Sequence, residues 1–230
     1  MPYLYYDSYY LVLVLPAILI AMAAQIMVKT TFRRYASVFS RRGQTAAQVA
    51  RRILDDNGLQ AVRLERVSGD LTDHYDPKAN VIRLSDSVYN SASVASIGVA
   101  AHEAGHAVQH AVGYVPIKLR NAVLPVANIG SAAAMPIIVI GLLLSFEPLV
   151  SIGILLFSAL VLFQLITLPV EFNASRRALA TLRDSRIREC KELSGARRVL
   201  SAAAMTYVAA VLVSAMHLLR LVLLTNRRRD

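Results

Sequence analysis

The chain of 230 residues contains a single cysteine, Cys190, and few acidic residues. One cysteine excludes an internal disulfide and a cysteine-rich metal site, and a chain without a disulfide framework favours a reducing compartment. Asp and Glu number 15 against 25 Lys and Arg, which gives a formal charge of +10. The basic residues form no nucleic-acid-binding motif, so we expect no nucleic-acid partner and predict that they face anionic lipid.

Asp, Glu, Lys and Arg are absent from four long stretches: residues 8–28, 121–146, 149–170 and 199–219. About 20 helical residues cross a hydrocarbon core that is roughly 30 Å thick. The first three stretches are therefore predicted to span a membrane. The fourth ends beside Arg220 and either spans or packs partly against the rest of the protein. A hydrophobic fraction of 56% and a mean hydropathy of +0.48 also argue against a purely soluble protein.

The basic residues are concentrated in segments 29–120 and 171–198. The positive-inside rule places both segments on the cytoplasmic side, with the N-terminus and the turn at 145–149 facing outward. The run Arg227 to Arg229 would break this rule if the fourth stretch spans the membrane, and the sequence leaves that point open.

Local patterns predict a mixed helical and extended region between the first two spans. Residues 44–57 are predicted to form a helix with Thr45 as its N-cap, and 60–67 and 80–84 are predicted strands. A short helix capped by Ser85 or Ser87 and a long helix over 93–112 follow. Residues 176–198 are predicted to be helical, with a break near Ser194-Gly195. Strand 80–84 is either an edge strand that pairs with a substrate backbone or an ordinary core strand.

The sequence His102-Glu103-Ala-Gly-His106 lies within the predicted helix 93–112. Residues i and i+4 share one helix face, so both imidazoles can bind one ion. Glu103 lies one step round the helix, where its carboxylate can act as a general base without binding the metal. Because polar groups on an apolar helix are costly without partners, this pattern predicts a catalytic Zn²⁺ site.

A catalytic zinc needs a third protein ligand. His110 lies about 12 Å along the helix from His102, too far to bind the same ion unless the helix breaks. His74 remains a candidate. We favour Glu171, because it follows the third span directly and a hairpin of two spans returns the chain to its starting side. The alternative role for Glu171 is an ion pair with Arg176 or Arg177 at a helix end.

The chain resembles the YugP-type bacterial membrane zinc metallopeptidases most clearly in segments 71–77, 99–106 and 168–177. The resemblance extends over nearly the whole chain. The resemblance implies Glu171 as the third zinc ligand and Glu103 as the general base, and it implies a location in the bacterial inner membrane. It also suggests a relation to gluzincins of the HtpX kind, in which an Asp follows the downstream Glu by four residues. Ser175 stands at that position here.

The predicted fold is a mainly α integral membrane protein with a small α+β zincin-like catalytic domain built from residues 29–120 and 171–200. Along the chain we predict five regions. These are an anchor (1–28), a catalytic region (29–120), a transmembrane hairpin (121–170), a charged helical region with the third ligand (171–200), and a hydrophobic helix with a basic tail (201–230).

The leading hypothesis is a zinc-dependent endopeptidase at the cytoplasmic membrane surface, cleaving polypeptides or membrane proteins as in quality control. His74 is a further catalytic candidate that would stabilise an oxyanion, or it bonds structurally with Asp73. A site-2-type intramembrane protease needs a later Asp as ligand, but no Asp lies between Asp86 and Asp184. A non-catalytic scaffold with structural zinc would not need Glu103. The oligomeric state is not indicated.

Overall fold

A computed structural model describes residues 8–184 and 190–226 of the chain. Within them, a short π-helical turn, Tyr10–Val14, leads into the first α-helix. The helices are α1 (Leu15–Ala36), α2 (Ala46–Asp56), α3 (Asp86–Tyr89), α4 (Val94–Ala111), α5 (Val115–Leu143), α6 (Glu147–Asp184) and α7 (Cys190–Asn226). The strands are β1 (Arg63–Val67), β2 (His74–Asp76) and β3 (Val81–Ser85). The predicted mainly α class with a small α+β region is confirmed.

Four helical segments are long and apolar enough to cross a membrane: Tyr10–Ala36, Val115–Leu143, Glu147–Arg183 and Lys191–Thr225. The fourth stretch, left open above, is thus part of a candidate span. Helix α7 runs without interruption through Ser194 and Gly195, so the predicted break there is wrong. Gly195 has a packing role instead, because a Cβ at this position would lie 2.8 Å from the ring of Tyr35. Residues Arg227 to Arg229 lie outside the described part.

The chain divides into two compact units. Of the described residues, the first unit, here called the membrane unit, contains 8–25, 119–168 and 206–226. The second, the α/β unit, contains 26–118, 169–184 and 190–205. The five predicted regions are consecutive segments of the chain, whereas each unit combines segments that are separate in the sequence. The five-region division stays a prediction.

Small residues bring α5 and α6 together in the membrane unit. A Cβ at Gly130 would lie 2.7 Å from the carbonyl oxygen of Leu156, and one at Gly141 would lie 2.8 Å from the backbone nitrogen of Val150. Close backbone approach at small residues is how helices associate in lipid, where no hydrophobic effect drives them together. Large apolar side chains such as Leu155, which is 71% exposed, point away from this interface.

The α/β unit contains a mixed sheet in the order β1-β3-β2. Strand β3 pairs with β1 in parallel and with β2 antiparallel. Of the two alternatives left open for strand 80–84, the structure therefore shows the core strand and excludes the sheet edge. Four of the five β3 residues are buried, as a central strand requires. The edges are β1 and β2.

Helix α2 begins at a capping box. The Thr45 hydroxyl accepts a hydrogen bond from the Gln48 backbone N–H, and the Gln48 side chain accepts one from the Thr45 N–H. This pairing satisfies two of the N–H groups that a helix start leaves free. The apolar face of α2, with Ile53 and Leu54, packs in one core with β3 and α4. The core thereby fixes α4, the helix that carries the histidine pair.

Candidate metal centre

Helix α4 presents His102 and His106 on one face. Its start is capped by Ser93, whose hydroxyl accepts a hydrogen bond from the Ser96 N–H. The two imidazoles are one turn apart, as the i, i+4 spacing predicts. Their Nε2 atoms lie only 3.1 Å from each other. Two ring nitrogens at this distance can bind the same metal ion.

Helix α6 brings Glu171 to the same point. Its Oε2 atom lies 3.2 Å from Nε2 of His102 and 3.5 Å from Nε2 of His106. The Glu171 side chain is buried, with 4% of the residue exposed. The structure thus brings together the three residues that the sequence analysis selected. Within the described residues, Glu171 forms no ion pair with Arg176 or Arg177, the alternative considered above.

Gly105 allows α4 and α6 to approach this closely. A Cβ at Gly105 would lie 2.7 Å from the carbonyl oxygen of Ala174, a distance that real Cβ atoms essentially never show. Ala174 is one helical turn from Glu171 on α6. The glycine of the motif therefore sets the distance between the histidine helix and the carboxylate helix.

Gln109 orients His106. It is fully buried, and its Nε2 donates to the carbonyl oxygen of Val170 at 2.8 Å and to Oδ1 of Asn173 at 3.0 Å. A carbonyl oxygen can only accept, so the amide is oriented with Oε1 towards Nδ1 of His106, 3.0 Å away. Nδ1 of His106 must then carry the proton. Its Nε2 keeps a lone pair directed at Glu171 and His102.

Ser175 contacts the other histidine. Its Oγ lies 3.1 Å from Nδ1 of His102. When Nδ1–H donates to this hydroxyl, Nε2 of His102 also keeps its lone pair. Ser175 occupies the position where the resemblance to HtpX-type gluzincins would place an Asp. A hydroxyl therefore makes a contact for which a carboxylate was expected.

The three atoms fit a tetrahedral zinc ion. Zinc binds His nitrogen and carboxylate oxygen at about 2.0–2.2 Å, so two ligand atoms of a tetrahedral site lie roughly 3.4 Å apart. The observed separations are 3.1, 3.2 and 3.5 Å. The donor set of two neutral imidazoles and one carboxylate is that of catalytic zinc sites, with a fourth position left for water or substrate.

The charges around the site also favour a cation. Burial opposes protonation of His106, but the Glu171 oxygen and the negative charge of Glu103 outweigh it, so the pKa of His106 is raised. The same field attracts a divalent ion. Glu103 is buried, with 8% exposed, and no hydrogen-bond donor of the described residues contacts its carboxylate. Its oxygens are thus available to accept a proton.

Asp73 lies close enough to Glu103 to respond to its charge. Burial raises the pKa of Asp73, and the Glu103 carboxylate raises it further, against hydrogen bonds from Ser85. Those bonds come from the Ser85 backbone N–H at 2.8 Å and from its hydroxyl. These hydrogen bonds hold Asp73, in the loop before β2, against Ser85 at the end of β3.

His74 and His110 stand apart from the three ligand candidates. His74 is exposed on β2, its Nδ1 lies 2.8 Å from the Thr72 carbonyl oxygen, and its Nε2 faces Arg83. His110 is exposed and contacts the Tyr75 ring edge-on. Among the described residues, neither belongs to the group that could hold a metal ion. A catalytic role for His74 stays a prediction.

Gln109, Asn173 and Gly105 are not among the predicted site residues, and Ser175 is predicted only as a departure from the HtpX-type pattern. One signal was available for Gln109. It follows His106 by three residues, on the same helix face, within an apolar segment. The partners on α6 have no such signal, because they depend on the crossing of two distant helices.

Comparison with known proteins agrees with this geometry. Residues 10–226 match the family described as "Putative neutral zinc metallopeptidase". The chain is 48% identical over 221 residues to "Putative membrane protease YugP" of Bacillus subtilis (strain 168), covering 96% of this chain and 98% of that protein. No solved structure matches the chain. The match over nearly the whole length shows that this integral membrane protein belongs to the neutral zinc metallopeptidase family.

Proposed function

We propose that the chain is a zinc-dependent endopeptidase that hydrolyses peptide bonds at the cytoplasmic surface of a bacterial inner membrane. In this proposal His102, His106 and Glu171 bind the zinc, and Glu103 is the general base. The observation that carries it is the convergence of three ligand atoms within 3.5 Å of one another, beside the buried carboxylate of Glu103, which accepts no hydrogen bond from the described residues.

The residues divide the chemistry between them. Bound zinc supplies Lewis acidity, which polarises a carbonyl oxygen and makes water more acidic. Glu103 accepts the proton of the attacking water and passes it to the leaving amine. Gln109 holds His106 in the tautomer that leaves Nε2 unprotonated. Ser175 supports the same tautomer of His102 when its hydroxyl accepts the Nδ1 proton. Partial exclusion of solvent around Glu103 strengthens its interaction with the developing charge.

Two features support the location at a membrane surface. Helix α6 contains the uncharged stretch 149–170 and continues directly into Glu171, with no loop between. Basic residues dominate segments 29–120 and 171–198, which the positive-inside rule places in the cytoplasm. Substrates would therefore be polypeptides or exposed loops of membrane proteins, as in quality control.

Strand β2 is the element we propose for substrate contact. It is a sheet edge in the α/β unit, and its Tyr75 contacts His110 of the metal-binding helix. An extended peptide can pair with the free backbone groups of an edge strand and so lie along α4. An edge of three residues gives limited sequence selectivity.

Cleavage of an unfolded polypeptide such as casein by the full chain in detergent tests the proposal. We expect cleavage that stops on treatment with a zinc chelator and returns with added zinc. The Glu103→Ala variant should not cleave at any zinc concentration. Chelator-resistant cleavage would contradict the zinc mechanism. Full cleavage by Glu103→Ala would contradict the role of the general base.

A labelling experiment tests the sidedness. Ser68→Cys in a Cys190→Ser background places the single thiol in the exposed segment between β1 and β2. An impermeant maleimide should label it in inverted membrane vesicles and leave it unmodified in intact cells. Labelling in intact cells would place the α/β unit outside.

A further inference from the structure

A cavity of about 420 Å³ lies between the end of α1 and the first half of α7, within the α/β unit. Three arginines line it: Arg34 from α1, and Arg197 and Arg198 from α7. The side chains of all three are exposed. None forms an ion pair with a carboxylate in the described parts of the chain. Three unpaired guanidinium groups at one cavity are an anion-binding arrangement.

The opposite end of the cavity is apolar. Met27 precedes Arg34 by seven residues on α1, and Met205 follows Arg198 by seven residues on α7. Seven helical residues rise about 10 Å. Both methionines line the cavity, and they are 41% and 44% exposed. On both helices, the basic residues of the cavity are therefore separated from its apolar residues by the same distance along the helix axis.

Both helices belong to candidate membrane spans, Tyr10–Ala36 and Lys191–Thr225. The arginines lie near the ends of these spans and the methionines lie further inside. Hydroxyl groups of Thr31, Tyr35 and Ser201 line the cavity near the arginines. These three hydroxyls make no hydrogen bond to the described residues, so they are available to a polar ligand.

We propose that this cavity is a binding site for one anionic phospholipid, with its phosphate held by Arg34, Arg197 and Arg198. The acyl chains would then pass along Met27 and Met205 into the bilayer. A phospholipid has the required order of parts, an anion followed by apolar chains. Arg34 is already oriented, because its guanidinium lies 5.9 Å from the centre of the Tyr35 ring.

The site connects to the helix that carries the histidines. Gly195 of α7 packs between Tyr35 and Val94, and a Cβ there would lie 2.8 Å from the first and 3.0 Å from the second. One helical turn further along α4, Gly98 faces Ala196 of α7. A lipid that joins α1 to α7 therefore stabilises the packing of α7 against α4. Bound lipid should raise the unfolding temperature of the protein.

The test measures lipid retention by native mass spectrometry of the full chain in neutral detergent, with added dioleoyl phosphatidylglycerol or dioleoyl phosphatidylcholine. We expect one molecule of phosphatidylglycerol to bind with about tenfold or greater preference, as charge-assisted contacts to phosphate would give. Arg197→Gln/Arg198→Gln should remove this preference. Arg34→Gln, on the other helix, should weaken it and provides a second variant if the double variant does not fold.

Lys29→Gln/Arg33→Gln is the matched control. It removes the same charge from the same end of α1, from exposed residues that do not line the cavity. We expect it to retain the lipid as the wild type does. If this control lost as much phosphatidylglycerol as the double variant, the lipid would be held by general electrostatic attraction, and the proposed site would be overturned. Equal binding of phosphatidylcholine by the wild type would also overturn it. Displacement by inorganic phosphate alone would show a free-anion site instead.

Thermal unfolding provides a readout that does not depend on peptidase activity. Phosphatidylglycerol should raise the unfolding temperature of the wild type and of Glu103→Ala alike, and not that of Arg197→Gln/Arg198→Gln. An unchanged unfolding temperature of the wild type with phosphatidylglycerol would contradict the proposal that lipid in the cavity stabilises the packing of α7 against α4. Failure of the proposed endopeptidase function would leave both lipid measurements unchanged, so the two proposals fail separately.

Discussion

Gln109 holds His106 from the side opposite to the candidate metal position, with Oε1 of the amide 3.0 Å from Nδ1 of the imidazole. The same amide donates to Val170 and Asn173 on α6. One buried side chain thus fixes the tautomer of a histidine on α4 and its distance from the helix that carries Glu171.

Gln109→Leu should weaken zinc binding by about 10- to 100-fold, the usual effect of losing a residue that orients a metal-bound histidine. Competition with a chromogenic chelator measures the affinity. Gln60→Leu, at an exposed residue, is the control and should bind zinc as the wild type does. Unchanged affinity in Gln109→Leu would show that His106 does not need this hydrogen bond.

Gly105→Ala should lower both zinc content and thermal stability. The added methyl group meets the Ala174 carbonyl oxygen at 2.7 Å, and overpacking of this kind costs about 1–3 kcal/mol. Gly98→Ala on the same helix is the matched control, since its methyl group meets Ala196 at an ordinary 3.6 Å. It should be neutral or slightly stabilising, by up to about 1 kcal/mol. Equal effects of the two changes would contradict the role of Gly105.

Ser175→Ala should reduce zinc affinity because it leaves Nδ1 of His102 without its acceptor 3.1 Å away. Ser175→Asp should restore or increase the affinity, since a carboxylate accepts this hydrogen bond more strongly. Ser158→Ala is the control, because among the described residues the Ser158 hydroxyl bonds only to the Ile154 carbonyl of its own helix. Lower affinity in Ser175→Asp than in Ser175→Ala would show that the contact does not orient His102.

Asp76 should contribute stability that is lost in acid. The backbone N–H of Ala79 and the guanidinium of Arg83 lower the pKa of Asp76 below its ordinary 3.8. A lowered folded-state pKa means that the contribution is complete well above pH 3.8 and disappears as pH falls through the lower folded value. The unfolding temperature of Asp76→Ala should therefore lie below that of the wild type near neutral pH. The difference should shrink on acidification below pH 3.8, and a difference that grows would contradict this assignment.

Much of the architecture could be predicted because its signals are local. The His-Glu-Ala-Gly-His helix, the Thr45 cap and the uncharged spans each depend on residues that lie close together in sequence. Glu171 could be predicted because its position follows from a single hairpin. The pairing of β3 could not be predicted, because strand order depends on contacts between distant segments.

Two glycines show why the remaining features were missed. Gly195 has the signature of a helix break, yet it lies within α7 because Tyr35 packs against it. Gly105 looks like an ordinary helical residue, yet its missing Cβ lets α4 approach Ala174. The functions of both depend on helix crossings, which leave no periodic signal in one sequence.

The most direct test of the zinc site compares metal content and casein cleavage in purified wild type, Glu103→Ala and Glu171→Ala. We expect about one zinc per wild-type chain, as a single three-residue site requires. Glu103→Ala should keep that zinc and lose cleavage, and Glu171→Ala should lose both. Full zinc content in Glu171→Ala would contradict the assignment of Glu171 as the third ligand.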